Sequence, residues 1–283
     1  MPPRPQHPST VLPGMRSAPP LLLIAHGSRD PRHAVTVHAL AERVRALRPG
    51  LRVETGFLDH RAPSVPQVVD RLAAGGVREI VALPLLLTRA FHAKSDIPSV
   101  LRVAGARHPR LAIRQAAVLG PARQALSPSR LLLTALERRL AEAGLDVRDR
   151  AERARTGIVL ASAGSTDPEA IAVIAEVARE WRRTGWCAVR PAFASASFPR
   201  TEDAVRALRA EGTGRVAVAP YVIAPGFLPD RIAAGSREAD VLAPVLGAAP
   251  ELARLLLQRY AEAAGAVTAK ASEAEVRAVA LTA

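Results

Sequence analysis

The sequence is written twice, and each copy alternates short apolar runs with amphipathic stretches. The first copy opens Leu21-Leu22-Leu23-Ile24-Ala25-His26-Gly27-Ser28-Arg29-Asp30-Pro31 and the second Ile158-Val159-Leu160-Ala161-Ser162-Ala163-Gly164-Ser165-Thr166-Asp167-Pro168. Phe57 and Phe193, Pro63 and Pro199, and Pro84 and Pro220 recur at one constant spacing, and His26 and Ala163 at that spacing plus one residue. A duplication of this length restricts the chain to two units of one kind. Strands are expected near 21–25, 51–58, 79–87 and 111–118, with helices near 31–47, 64–74 and 94–105 between them. The second copy repeats the order, with strands at 157–162, 187–194, 215–223 and near 241–246 and helices at 168–182 and 201–210. Apolar runs without strict alternation suit strands covered on both faces, so each unit should be an α/β layer built on a mostly parallel sheet.

The domains follow: 21–145 and 157–263, joined through a helix at 128–143 and a charged linker at 146–156, with a proline-rich, disordered leader at 1–20 and an Ala-rich tail at 264–283. Met15 stands six residues before the first strand and is an alternative translation start to Met1, which intact mass of the native protein distinguishes.

Composition narrows the function classes. Of 283 residues, 49% are hydrophobic, 23% charged and 3% aromatic, which predicts a globular protein with cores of Leu, Val, Ile and Ala. No apolar run approaches the ~20 residues of a membrane span and no signal peptide precedes His26, so the expectation is a cytoplasmic chain without a membrane partner. The single cysteine, Cys187, excludes an internal disulfide and a cysteine metal cluster. The formal charge is +13, yet only Lys94 and Lys270 of the 39 basic residues are lysines. The arginines are scattered among acids along helical stretches, which argues against nucleic acid but leaves a polyanionic small molecule compatible.

All seven histidines lie between His7 and His108, so the duplication is chemically lopsided. Ala163 stands where the first copy has His26, and Leu228 where it has His92. In open parallel sheets ligands bind beyond the carboxyl ends of the strands, and both His26 and His92 follow strands there. Two imidazoles from separate strands suit a divalent first-row metal with open positions, rather than a closed structural zinc site. Asp59 and His60 end the second strand on the same rim as further ligand or supporting candidates. Ser28 with Asp30-Pro31 supplies a cap and an early proline for the following helix, Arg29, Arg32 and Arg89 stand where they could grip an anionic substrate, and Lys94 either binds a carboxylate or pairs with Asp96. His33, His38 and His108 receive no role. Phosphate-loop, dinucleotide-binding, zinc-protease and nucleophile-elbow motifs are lacking, which removes the usual support for those chemistries.

Ala25-His26-Gly27-Ser28-Arg29-Asp30, Phe57-Leu58-Asp59, Pro84-Leu85-Leu86-Leu87 leading to His92-Ala93-Lys94-Ser95-Asp96-Ile97-Pro98, and Leu119-Gly120-Pro121 together resemble the sirohydrochlorin chelatase family of class II chelatases in its long, duplicated form. The resemblance runs from about Leu21 to Tyr260. It implies two tandem chelatase-like domains forming a pseudo-dimer around a cleft within a monomer. It also implies ATP-independent insertion of Fe2+ or Co2+ into sirohydrochlorin, for sirohaem or cobalamin, with no organic cofactor. His26 and His92 would then handle the metal and the pyrrolic protons, with Ser28, Arg29, Asp59, His60, Arg89 and Lys94 toward the substrate. Two features depart from the pattern: the second copy lacks both histidines, and Ala122 follows Leu119-Gly120-Pro121 where relatives often carry a polar residue. A non-catalytic tetrapyrrole or metal carrier on the same fold is the alternative expectation.

Overall fold

The computed structural model describes residues 18–89, 92–121 and 130–280, and at His92 and over 266–280 it describes the backbone alone. Most of the expected leader, residues 1–17, lies outside the described residues. Its last residues are tied down: Tyr260 Oη donates to the Pro19 carbonyl at 2.7 Å and Val81 N to that of Pro20 at 3.0 Å.

Strands β1 (Leu21–Ala25), β2 (Val53–Phe57), β3 (Glu79–Pro84) and β4 (Ala112–Gln115) form one sheet in the order β2-β1-β3-β4. Strands β5 (Thr156–Ser162), β6 (Ala188–Phe193), β7 (Arg215–Tyr221) and β8 (Val241–Leu242) form a second in the order β6-β5-β7-β8. Every pairing is parallel. In each sheet the chain leaves the first strand to one side and returns to its other side, and a crevice opens at that reversal beyond the carboxyl ends. Every residue of β1 is buried, as an all-apolar strand requires when helices cover both faces.

Local sequence explains the helices. Asp30 caps α1 (Pro31–Leu47) by accepting from Arg32 N, and Asp167 caps α6 (Pro168–Arg182) by accepting from Glu169 N, each with proline in the first turn. Ser64 and Gln67 form a capping box on α2 (Val65–Ala74). A π-helical turn, His92–Asp96, leads into α3 (Ile97–Ala106). Helix α4 (Arg130–Glu142) follows, and in the second half α7 (Thr201–Ala210), α8 (Phe227–Ala234) and α9 (Pro250–Ala280).

Three cores result. Leu22, Ile24, Val68, Leu72 and Leu101 pack between the first sheet and α2 and α3, and Val159, Ala161, Val205, Leu208 and Ile232 do the same for the second sheet. On the opposite faces the cores merge: Leu21, Leu23 and Val37 belong to one cluster with Leu136, Leu160, Ile174, Trp181 and Leu256. Helix α4 packs on β7 and α9, while α9 packs on α1 and β3, so each half lends its last helix to the other.

Two expectations are corrected. The charged segment read as a linker carries a helix, α5 (Arg150–Arg155), because Asp149 caps it and Glu152 turns inward. Glu152, 4% exposed, accepts from Arg155 and Arg215 there, and the Arg155 hydrogen bond holds its carboxyl below the usual range. The last strand is two residues rather than six, and β4 ends at Gln115, since both are edge strands paired on one side only. Beyond Tyr260, the Ala-rich tail continues α9 to Ala280, the helical one of the two forms its composition allows.

Candidate functional site

Gly27 brings the ends of β1 and β2 together. Its φ is +96° and a Cβ there would stand 1.9 Å from the Asp59 carbonyl oxygen, so a side chain is excluded. Leu58 N thereby donates to Ala25 O at 3.0 Å and Asp59 N to His26 O at 2.9 Å. Arg61 donates to the Ser28 and Arg29 carbonyls and fastens the two turns to each other. The second half repeats the construction with Gly164 at φ +91°, 1.9 Å from the Ser195 carbonyl, and with Ser195 N on Ala163 O at 3.0 Å. The backbone is thus shared and the side chains differ: His26 against Ala163, Asp59 against Ser195, His60 against Ala196.

The structure gathers His26, Ser28, Asp59 and His60 on one rim. The His26 and His60 rings meet edge to face with centroids 6.5 Å apart. Asp59 Oδ1 accepts the His60 N–H at 2.7 Å, and its Oδ2 lies 3.4 Å from His60 Nε2. Imidazole nitrogens beside a carboxylate oxygen are donors that suit Fe(II), Co(II) or Zn(II). Among the described residues no group of three or more His, Cys, Asp or Glu converges tightly enough to hold an ion by itself. The backbone of His92 opens the π-turn that follows β3, while its side chain lies outside the described residues.

His26 and Ser28 open onto a cavity of about 400 Å³ between the halves. Leu85 to Thr88 face Tyr221 to Pro229 across it, and Ala163 and Gly164 line the wall opposite to His26 and Gly27. Apart from Tyr221, His26 and His33 are the only titratable side chains lining it among the described residues. Most of the lining side chains are apolar, which suits a flat apolar face more than a carboxylate.

Ion pairs bridge the halves near this cavity. Arg32 joins its own cap Asp30 at 2.6 Å to Asp230 of α8 at 2.8 Å, and the Arg32 hydrogen bond keeps the Asp30 carboxyl below its usual range. Lys94 reaches Asp167 at 2.6 Å and Glu169 at 2.8 Å at the start of α6, which raises its own pKa and lowers that of Asp167. Lys94 thus pairs with the α6 cap Asp167 and the first-turn Glu169 rather than with Asp96. With exposed Arg89 and with Gln115 it lines a second cavity of about 470 Å³. Arg29 is exposed, and its carbonyl is what Arg61 holds.

The CbiX family model matches residues 20–143 and again 157–263, the two halves in turn. The chain belongs to the CbiX family. Among curated proteins, this CbiX-family chain is 27% identical to the sirohydrochlorin cobaltochelatase of Priestia megaterium over 75% of its own length and 66% of that protein's. It is 24% identical to the sirohydrochlorin ferrochelatase of the same organism, over 75% of this chain and 76% of the other. The match to the first of these spans less than two thirds of the relative's length. Among solved structures, SirB from Bacillus subtilis with Fe3+ superposes with a TM-score of 0.73 at 22% identity, covering 87% of this chain and 96% of that one, which shows the fold.

Sequence reasoning passed over His33, which the structure brings into the cavity wall. It is half-buried, burial lowers its pKa, and its Nδ1 has no hydrogen-bond partner among the described residues. One signal was available: His33 and Ala170 share the spacing of His26 and Ala163, so a second imidazole is lost at a matching position and both members of the pair line the cavity.

Proposed function

We propose that this CbiX-family protein inserts a divalent metal, Fe2+ or Co2+, into sirohydrochlorin without ATP, on a route to sirohaem or to a cobalamin precursor. The observation that carries the reading is His26 at the carboxyl end of β1, opening with Ser28 onto a largely apolar cavity between the halves. The family match and the names of the relatives support the same reading.

Sirohydrochlorin is a flat tetrapyrrole fringed with carboxylates, and it must release two pyrrolic protons as the metal enters. The apolar cavity suits the face of the ring, and exposed Arg29 and Arg89 suit the fringe. Metal is a substrate here. His26 and His92 in their neutral forms hold it and pass it to the ring while an imidazole takes pyrrolic protons, a task matched to a base with a pKa near neutrality. Asp59 and His60 complete or support the metal's coordination, and Ser28 orients the turn through its hydrogen bond from Asp30 N. Lys94, held by two carboxylates of α6, meets a substrate carboxylate only by exchanging partners, so its first role is to hold the seam.

Among the described residues no helix is long and apolar enough to cross a membrane. A cytoplasmic protein acting as a monomer, with the second half closing the cleft as the partner of a pseudo-dimer, is part of the proposal. Anaerobic absorbance of sirohydrochlorin with Co2+ or Fe2+ tests it. Many turnovers per chain are expected, whereas a single stoichiometric change would mark a carrier and overturn the enzymatic reading.

A further inference from the structure

Three arginines gather in the half that lacks the imidazoles. Arg200, Arg231 and Arg237 line a cavity of about 380 Å³ together with Phe193, Thr201 and Glu202. Nearby arginines sit on carboxylates, Arg206 on Asp203 at 2.8 Å and Arg209 on Asp240 at 2.8 Å. Among the described residues none of the three joins an ion pair. Glu202 is the one acid of the lining, so guanidiniums outnumber carboxylates and the cavity carries an excess of positive charge. Like charges gathered in one concave place repel each other, and an anion that enters relieves the repulsion.

The cluster is particular to this half. At the spacing that joins Phe57 to Phe193, Arg200 matches Ser64 and Arg231 matches Ser95. The copy that lost imidazoles has therefore gained guanidiniums beside the carboxyl end of β6. Two of them are steadied by aromatic rings: Arg200 lies over exposed Phe198 at 4.6 Å from its centroid, and Arg231 over exposed Phe227 at 5.8 Å.

This cavity adjoins the central one. Phe193, the last residue of β6, lines both. Phe227 lines the central cavity, while Arg231, one turn further along α8, lines the arginine cavity, so this stacked pair forms a ridge between an apolar space and a cationic one. Arg231 and Arg237 are exposed and open to a ligand from solvent. A guanidinium offers a planar fork of N–H donors that fits a carboxylate two atoms at a time. No Asp, Glu, Lys or Arg lines the central cavity, so a flat ring lying there must find cations for its carboxylate fringe beyond it.

Resting on the chelatase reading above, we propose that Arg200, Arg231 and Arg237 form a carboxylate-binding site on the second half. Its ligand is a carboxylate arm of the tetrapyrrole reaching past Phe227, or a free polycarboxylate of the same chemistry. The halves then divide the work, imidazoles to the metal and guanidiniums to the anionic fringe.

The test titrates sirohydrochlorin, by its fluorescence, and citrate, by calorimetry, into the wild type, Arg231→Gln/Arg237→Gln and Arg231→Lys/Arg237→Lys. Both arginines are exposed, so Tm of the empty protein should stay near wild type in each variant. The glutamine variant should bind sirohydrochlorin about tenfold more weakly, with KM rising more than kcat falls, and its affinity should depend less on salt than that of the wild type. The lysine variant, which keeps the charges and loses the forks, should fall between the two. Citrate should compete with sirohydrochlorin for the wild type. If the variants lose citrate but bind sirohydrochlorin as the wild type does, the carboxylate site stands and its ligand is the free polycarboxylate. Unchanged binding of both ligands in the glutamine variant overturns the proposal. A wild type that shows these binding differences but inserts no metal would remove the chelatase reading and leave the site, whereas metal insertion with unchanged binding of both ligands would remove the site alone.

Discussion

At the scale of single residues, the division between retained backbone and changed side chains is the main signal. His26, His33 and His60 have Ala163, Ala170 and Ala196 as counterparts, so three imidazoles disappear from one half without disturbing the turns that present them. His26→Ala should therefore abolish metal insertion while circular dichroism and Tm stay near wild type, and His92→Ala should do the same. His33 gives a distinct, pH-dependent signature. The unfolded chain protonates this imidazole near the ordinary value of 6.5, while burial lowers the folded value. The unfolded state then binds more protons as pH falls through that interval, so this group's contribution to stability is present above it and lost below. The drop in Tm between about pH 7 and pH 5 should be smaller in His33→Phe than in the wild type; an equal drop would show that His33 is not its source. The sequence disclosed His26 because it interrupts an apolar run at a strand end. It hid His33 because a histidine in a helix's first turn looks like surface until the opposite wall is in place.

At the scale of elements, the order of strands and helices was readable because β1, β5 and β7 are continuous apolar runs and because Asp30-Pro31, Ser64 and Asp167-Pro168 announce helix starts. Helix α8 was not anticipated, since Pro225-Gly226 and Pro229 read as loop residues, although Gly226 only opens the helix and Pro229 sits in its first turn. The charged run before β5 concealed α5 because burial of Glu152 depends on Arg215, which is distant in sequence. Two predictions belong here. Gly27→Ala and Gly164→Ala meet the same obstruction, so each should destabilise the protein by about 2 kcal/mol or more in denaturant unfolding, although only the first adjoins the imidazoles. Arg138→Met strands Glu251, whose side chain is 3% exposed and takes three close contacts from that guanidinium, and should cost about 3 kcal/mol. Unchanged midpoints in these variants would contradict the packing described.

At the scale of the whole molecule, the halves share one core and exchange their last helices, and the cavity lies along the seam this creates. Pattern within one repeat is blind to such a seam, because its contacts join residues of different copies. The bridges Arg32–Asp230 and Lys94–Asp167–Glu169 cross it near the surface. Exposed pairs of this kind contribute up to about 1 kcal/mol, so Asp230→Ala should barely move the unfolding midpoint. The central claim is that one cleft per chain, built on His26 and closed by a half without imidazoles, performs metal insertion. Its most direct test is the anaerobic steady-state rate of Co2+ insertion into sirohydrochlorin, followed by absorbance, for the wild type beside His26→Ala. The account predicts repeated turnover in the wild type and none above the uncatalysed rate in the variant. Near-normal turnover by His26→Ala would contradict it.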